Sequence, residues 1–125
     1  MMVRVGVDIG GTKVNIGLLD DRKKLLGSKK MLVQDIVDLA EAIKITVDEL
    51  CAEHQIDSGD IVSCGIGVPG TVSENGRRLL KAPNLSILSD DLAAKAEKLL
   101  DCPVTLIQDS RAAAWGEYLC GAGKG

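Results

Sequence analysis

The sequence is poor in aromatic residues, and this scarcity excludes several classes of function. Only 2% of its 125 residues are aromatic, namely Trp115 and Tyr118, and there is no phenylalanine. Proteins that bind single-stranded nucleic acids stack the bases on aromatic side chains, which makes that class of function a poor fit. The hydrophobic core therefore has to be built from aliphatic side chains.

An excess of charge of one sign is also absent. Fifteen Lys and Arg residues against eighteen Asp and Glu residues give a net charge of -3. A general nucleic-acid-binding protein needs a basic face that displaces phosphate counterions, so we expect no nucleic-acid partner. With 46% hydrophobic and 26% charged residues, the chain can bury a core, and its length suits one domain.

Long hydrophobic runs are missing as well. Charged residues or glycines interrupt the apolar runs before they reach the ~20 residues that span a bilayer. Met1 to Arg4 lead directly into a strand-like pattern, without the hydrophobic stretch of a signal peptide. We therefore expect no membrane partner and a cytoplasmic location.

The cysteines and the single histidine do not form a metal-binding pattern. Cys51, Cys64, Cys102 and Cys120 are far apart in the sequence, and no two have the two-residue gap of a metal or redox site. They are predicted to be buried thiols in a reducing compartment. His54 is predicted to be a surface residue at a helix end.

Hydrophobic periodicity predicts strands in the first third of the chain. Apolar residues alternate at positions 3–7 and again at 14–18, and a third strand is expected around 24–33. Two tight turns would join these strands into an antiparallel arrangement. Further short apolar strands are predicted at 61–64 and 104–107.

Helical periodicity follows. An apolar stripe from Asp35 onwards predicts one helix, and a second is predicted with Ser89 as its N-cap. A third helix is expected over 112–119. Strands that alternate with helices after an opening hairpin indicate an α/β layer with a mixed sheet. The two predicted stripes consist of Ile36, Ala40, Ile43, Val47 and Leu50, and of Leu92, Ala96 and Leu99.

The first candidate site follows the first strand. Asp8 precedes the turn residues Gly10, Gly11 and Thr12, which are followed by Lys13. Paired glycines let the backbone N–H groups approach a phosphate, and Asp8 could hold Mg²⁺ through its waters. The alternative is an ordinary hairpin turn with a surface aspartate. The order of residues is not that of a Walker A loop.

A second glycine-rich segment, at 65–70, matches the dinucleotide-binding fingerprint letter for letter. A Rossmann loop must open a helix that binds the pyrophosphate. Here the next residues, 71–76, contain an Asn-Gly turn signal and no helical period. We therefore reject the Rossmann interpretation, although this loop could still approach a ligand.

Two polar residues are candidates for contact with a substrate. Asn84, in the segment 82–85, offers an amide donor and acceptor that suit sugar hydroxyls; the alternative is a simple turn residue. Asp109, between a strand and a helix, could act as a general base, and the helix dipole favours its ionised form. The alternative for Asp109 is a helix cap.

In order and combination, four segments resemble the ROK family of repressors, uncharacterised reading frames and sugar kinases. They are VDIGGTK at 7–13, GIGVPGTV at 65–72, APNL at 82–85 and QDSRAAAWGEYLCGAGKG at 108–125. The resemblance implies the actin/Hsp70-like (ribonuclease H-like) ATPase fold, with a mixed β-sheet flanked by helices. It also implies that residues 1–125 form the N-terminal lobe and that the C-terminal lobe is absent.

The resemblance assigns roles to individual residues. Asp8, Gly10, Gly11, Thr12 and Lys13 would face the ATP phosphates and Mg²⁺, with Asp8 binding the ion through water. The sugar would be contacted by Asn84, Gln108, Asp109, Gly70 and Thr71, and Asp109 would be the catalytic base for its hydroxyl.

The sequence departs from the family pattern in one segment. The family usually has Asn-Asp-Ala-Asn where this chain has Gln108, Asp109, Ser110 and Arg111. Gln108 is one methylene longer than Asn, which puts the sugar contacts at this position in doubt. The role of Arg111 is open.

The resemblance implies an ATP-dependent, glucokinase-like hexose kinase whose isolated N-terminal domain is inactive. The family's zinc motif would lie in the missing lobe, so no Zn²⁺ is expected in this chain. A catalytically silent sugar sensor and another actin-like ATPase module stay open as alternatives. Neither the sugar, a hexose or an N-acetylhexosamine, nor a homo-oligomeric state is identified by the sequence.

Overall fold

A computed structural model describes residues 2–81, 87–89 and 91–108. The predicted helix at 112–119 and the residues Asn84, Asp109 and Cys120 lie outside this part of the chain. The described elements, in chain order, are β1 (Val3–Ile9), β2 (Lys13–Leu19), β3 (Leu25–Leu32), α1 (Leu39–Glu53), β4 (Ile61–Val68), β5 (Thr71–Val72), β6 (Leu79–Lys81), α2 (Leu92–Leu100) and β7 (Val104–Gln108).

Five strands form one mixed sheet in the order β3-β2-β1-β4-β7. Strand β2 is antiparallel to β1 on one side and to β3 on the other, and tight turns join it to both. Strand β4 is parallel to β1 and to β7, and the helices α1 and α2 provide the two crossover connections. The predicted mixed α/β sheet is confirmed.

One face of this sheet is apolar and carries α1 and α2. The register places Val5 beside Leu18 on one side and beside Cys64 on the other, so alternate residues of neighbouring strands share this face. Helix α1 contacts β2, and α2 contacts β7. The buried residues of the described core are aliphatic side chains and cysteines, as the composition predicts.

Helix α1 starts later than the periodicity predicts. The Asp38 side chain accepts a hydrogen bond from the Glu41 N–H group at 3.1 Å and so caps the helix. Residues Val33–Asp35 form a short 3₁₀ helix instead, and Ile36, which was predicted on the helical stripe, is buried in extended backbone. The helix ends at Glu53, and the C-cap residue His54 is exposed, as predicted.

Helix α2 also differs in detail from its prediction. Its N-cap is Asp91 rather than Ser89, whose hydroxyl donates to the Asp91 carboxylate at 2.7 Å. Leu99, expected on the apolar stripe, is 41% exposed, and Leu100 is buried in its place. The helix has nine residues, and such a short pattern leaves the phase of its apolar stripe poorly determined.

The structure also agrees with the rejection of a Rossmann loop. The glycines at 65 and 67 lie inside β4, and the segment after Gly70 continues into β5 rather than into a helix. Strands β5 and β6 form a small antiparallel hairpin. Its turn contains Asn75 and Gly76, as the Asn-Gly signal predicts, and Gly76 has a φ angle of 69°.

Within the described residues, no helix combines the length and the hydropathy needed to cross a membrane. The three described cysteines, Cys51, Cys64 and Cys102, are buried free thiols, which agrees with their prediction as buried residues.

Candidate functional site

The turn between β1 and β2 presents its backbone outwards. The Gly10 N–H group donates to the Lys13 carbonyl at 2.9 Å and closes the turn, while the Thr12 carbonyl accepts from the Val33 N–H group at 2.8 Å. A side chain at Gly11 would meet no atom within 4 Å. The two hydrogen bonds fix the turn, and the open space above Gly11 lets a ligand approach the backbone.

Asp8 lies next to this turn, near the end of β1. Its cross-strand partners are Asn15 on β2 and Gly67 on β4. All three belong to the face opposite α1 and α2, because Val7 and Ile9 occupy the helix-covered face. Gly67 has no side chain, so no side chain of β4 lies beside Asp8 at this level of the sheet.

Asn15 is a site residue that the sequence analysis missed. The Oδ1 atoms of Asp8 and Asn15 are both buried, and Asn15 Oδ1 accepts no hydrogen bond from the described residues. Directly opposed residues of antiparallel strands have Cβ atoms ~5 Å apart. The signal was present in the sequence, since closing the turn at Gly10 and Lys13 and counting outwards pairs Asp8 with Asn15.

A carboxylate oxygen and an amide oxygen side by side suit a hard cation. Mg²⁺ prefers oxygen ligands and usually keeps several waters, with one or two carboxylates from the protein. Among the described residues there is no group of three or more His, Cys, Asp or Glu side chains that could hold a metal. The residues present therefore fit a water-mediated Mg²⁺ ion at Asp8 and do not fit a dedicated protein cage.

The centre of the same face consists of glycines. Gly17, Gly6 and Gly65 are direct neighbours across β2, β1 and β4, and all three are buried. Without side chains, this row lets another layer come close to the backbone. Asn15, Asp8 and Gly67 form the next row on this face, two residues away along each strand and closer to the turn.

The parallel strands bring three predicted segments to one edge of the sheet. Asp8 is level with Gly67, and Val68 is level with Gln108, so β1, β4 and β7 end together. Along this edge therefore lie the turn at 10–12, Gly70 in the loop after β4, Thr71 at the start of β5, and the end of β7. In open α/β sheets, ligands bind outside the carboxyl ends of the strands.

Gln108 has a role that the sequence did not indicate. Its side-chain Oε1 accepts a hydrogen bond from the backbone N–H group of Val72 at 3.3 Å, across 36 positions of the sequence. The described end of β7 is thus joined to the first strand of the small hairpin. Asp109 follows Gln108 directly in the sequence, and both Asp109 and Asn84 lie outside the described residues.

Comparison with known proteins identifies the family. The sequence matches the ROK family over residues 4–125. The chain belongs to this family.

The chain is similar to sugar kinases, among them two relatives and one protein of solved structure. The chain is 35% identical to a glucokinase of Streptomyces coelicolor, over all of this chain and 38% of that protein. It is 30% identical to an N-acetylmannosamine kinase of Vibrio vulnificus, over 92% of this chain and 38% of that protein. A ROK family glucokinase of Streptomyces griseus, solved with glucose and AMPPNP, is 34% identical with a TM-score of 0.69, over 98% of this chain and 38% of that chain.

These similarities confirm the expected fold, the actin/Hsp70-like ATPase fold of ROK glucokinases. The two relatives named above are sugar kinases. The chain spans 38% of the length of each of these proteins.

Proposed function

We propose that residues 1–125 form the N-terminal lobe of an ATP-dependent hexose kinase. The observation that carries this proposal is the common edge of β1, β4 and β7. It places the turn after Asp8, the loop at 70–71 and the strand that leads to Asp109 side by side. The sequence similarity to a glucokinase over the whole chain supports a hexose or an N-acetylhexosamine as the substrate class.

The turn is the part of the site that would face the phosphates of ATP. The backbone N–H groups around Gly11 and Thr12 and the Lys13 ammonium group would balance the negative charge of the phosphoryl group during transfer. Asp8, with Asn15 beside it, would hold Mg²⁺ through water. The ion, when bound, supplies charge neutralisation at the phosphate oxygens.

Asp109 is the proposed base. Its carboxylate takes the proton of the attacking sugar hydroxyl as the oxygen forms a bond to the γ-phosphorus, and the bond from that phosphorus to the oxygen of ADP breaks. Asn84 would hold the sugar by hydrogen bonds, and the loop with Gly70 and Thr71 would form a wall of the sugar pocket. Closure of the second lobe would exclude water as a competing acceptor. We place this activity in the cytoplasm.

The decisive experiment removes the base from the full-length protein. Asp109→Ala should lower turnover by at least ~10²-fold because proton removal by a positioned side chain typically contributes 10²–10⁴-fold. Sugar binding measured by calorimetry should largely survive. The assay couples ADP release to a panel of hexoses and N-acetylhexosamines with Mg-ATP, and the 125-residue chain alone should be inactive in it.

Asp21→Asn is a matched control, since Asp21 is an exposed carboxylate in the turn between β2 and β3 and its loss should not change turnover. Unchanged turnover in Asp109→Ala would remove Asp109 from the role of base. If the wild-type protein binds sugar but phosphorylates none of the panel, the function is that of a sugar sensor.

A further inference from the structure

Strand β7 is at the edge of the sheet, and no sixth strand pairs with it in the described residues. An open edge leaves backbone N–H and C=O groups without partners. Here the small hairpin of β5 and β6 and one side chain of α2 supply those partners. The Leu106 N–H group donates to the Gly76 carbonyl at 2.7 Å, and the backbone of Val104 is bound by two side chains.

Those two side chains are Arg77 from the hairpin and Glu97 from α2. The Val104 N–H group donates to Glu97 Oε1 at 3.1 Å, and the Val104 carbonyl accepts from Arg77 Nη1. Arg77 Nη1 also donates to Glu97 Oε1 at 2.8 Å. The ion pair thus substitutes for a neighbouring strand at Val104 and fastens the hairpin to both β7 and α2.

An exposed ion pair by itself stabilises a protein very little. This pair is 36% and 41% exposed, but each member also binds the backbone of Val104, which limits its freedom. The hydrogen bond from Val104, followed by the one from Arg77, lowers the pKa of the Glu97 carboxyl below its ordinary value. The carboxylate is therefore ionised at neutral pH and holds Arg77 in place.

A second attachment lies at the other end of β7. Gln108 Oε1 accepts from the Val72 N–H group, so the start of the hairpin is joined to the residue before Asp109. The hairpin is also the covalent link between the loop that ends at Thr71 and the segment 82–85 with Asn84. The hairpin therefore connects, along the chain, the two segments that are proposed to bind the sugar.

We propose that the hairpin, fastened by Arg77, Glu97 and Gln108, is a brace that sets the position of the sugar-binding segments relative to Asp109. These three residues are positioning residues, since they act through the hairpin. The inference rests on the proposed function, because it concerns how the same site selects and holds its sugar. At position 108, where the family usually has Asn, the longer side chain of Gln108 reaches the Val72 N–H group.

The test measures the KM for sugar and the KM for ATP of the full-length protein separately. Arg77→Ala should raise the KM for sugar about tenfold, a coupling of the size found between interacting residues. The KM for ATP should change less than about twofold, because Arg77 contacts β7, which is two strands away from β1 and the turn that follows it. Arg77→Lys, which keeps the positive charge but replaces the guanidinium group with a single ammonium group, should raise the KM for sugar less than Arg77→Ala does.

A double-mutant cycle with Glu97→Ala tests the pair. If Arg77 and Glu97 act together, the double variant should have nearly the same KM for sugar as Arg77→Ala alone. The matched control is Lys44→Ala, which breaks another exposed ion pair, the one with Asp48 at 3.0 Å on α1. That variant should leave both KM values unchanged.

Gln108 is tested by a direct structural readout. Hydrogen exchange of the Val72 amide should become faster in Gln108→Asn, because the shorter side chain loses its hydrogen bond.

An unchanged KM for sugar in Arg77→Ala, or equal increases in both KM values, would overturn the brace. If Arg77→Ala does not fold, the KM for sugar and the KM for ATP are compared in Arg77→Lys and Glu97→Gln instead. A wild-type protein without turnover on any sugar would instead refute the proposed function.

Discussion

At the scale of single residues, Gly76 has the most demanding position in the hairpin. Its φ angle of 69° favours glycine, and a Cβ atom there would lie 2.6 Å from Thr105 Cγ2. We expect Gly76→Ala to reduce the free energy of unfolding by about 1–3 kcal/mol through backbone strain and overpacking. Urea unfolding of the full-length protein measures the loss.

Gly11→Ala is the matched control for this prediction. Gly11 has open space where a methyl group would lie and no positive φ angle, so the free energy of unfolding should change by less than about 0.5 kcal/mol. Equal losses in the two variants would contradict the steric explanation for Gly76.

Single residues also show what the sequence could and could not predict. The alternation of Val3, Val5 and Val7 indicated the buried face correctly because strands have a period of two. Ser89 and Asp91 are both good capping residues, and local pattern does not choose between them. The hydrogen bond from the Val72 N–H group to the Gln108 side chain joins two positions that are distant in the sequence and that only the folded sheet brings together.

At the scale of elements, the existence and type of each described helix and long strand followed from periodicity. Their ends did not, since α1 begins at Leu39 and β4 continues to Val68. In the second half of β4, Ile66 and Val68 alternate with Gly65 and Gly67, but the sequence analysis assigned these glycines to a loop rather than to the strand. The same holds for the candidate site. The turn at 10–12 was predicted from the sequence, whereas Asn15 on β2 was recognised from the register between β1 and β2.

The attachment of the hairpin should depend on pH. The pKa of Glu97 is lower in the folded state than its ordinary value of 4.5, mainly because of the hydrogen bond from Val104 and then that from Arg77. A lowered carboxyl pKa stabilises the fold above the unfolded-state value, and the contribution is lost as the pH falls through the folded-state value. The stability difference between the wild type and Glu97→Gln should therefore be largest near pH 7 and shrink below pH 4.5.

Urea unfolding of both proteins from pH 7 down to pH 3, which extends well below the ordinary carboxyl pKa of 4.5, measures this difference. Other carboxyl groups titrate in the same range, but they contribute equally to both proteins and cancel. A difference that is constant over the whole range would show that the charge of Glu97 does not hold the hairpin.

At the scale of the whole molecule, Cys64 reports on global unfolding. It lies in β4, between β1 and β7, and is 1% exposed. Burial raises the pKa of its thiol, and the thiolate is the form that reacts. In the native protein, Cys64 should be alkylated at least about a thousandfold more slowly than in urea, because it must await global opening.

Peptide mapping after pulse alkylation distinguishes Cys64 from the other thiols, including Cys120. Cys51 and Cys102 are buried at 5% and 6% exposure and should also react slowly. Rapid native-state labelling of Cys64 would mean that the sheet opens without global unfolding.

The position of β1 in the sheet also has a consequence for how the chain folds. Val7 pairs with Ile16 on one side and with Ile66 on the other, so this strand has one partner close in sequence and one distant. Contacts between distant positions are slow to form because a long loop must close first. The β1–β2–β3 meander can thus assemble during synthesis, before β4 has left the ribosome, and present β1 as a template on which the parallel half of the sheet is completed.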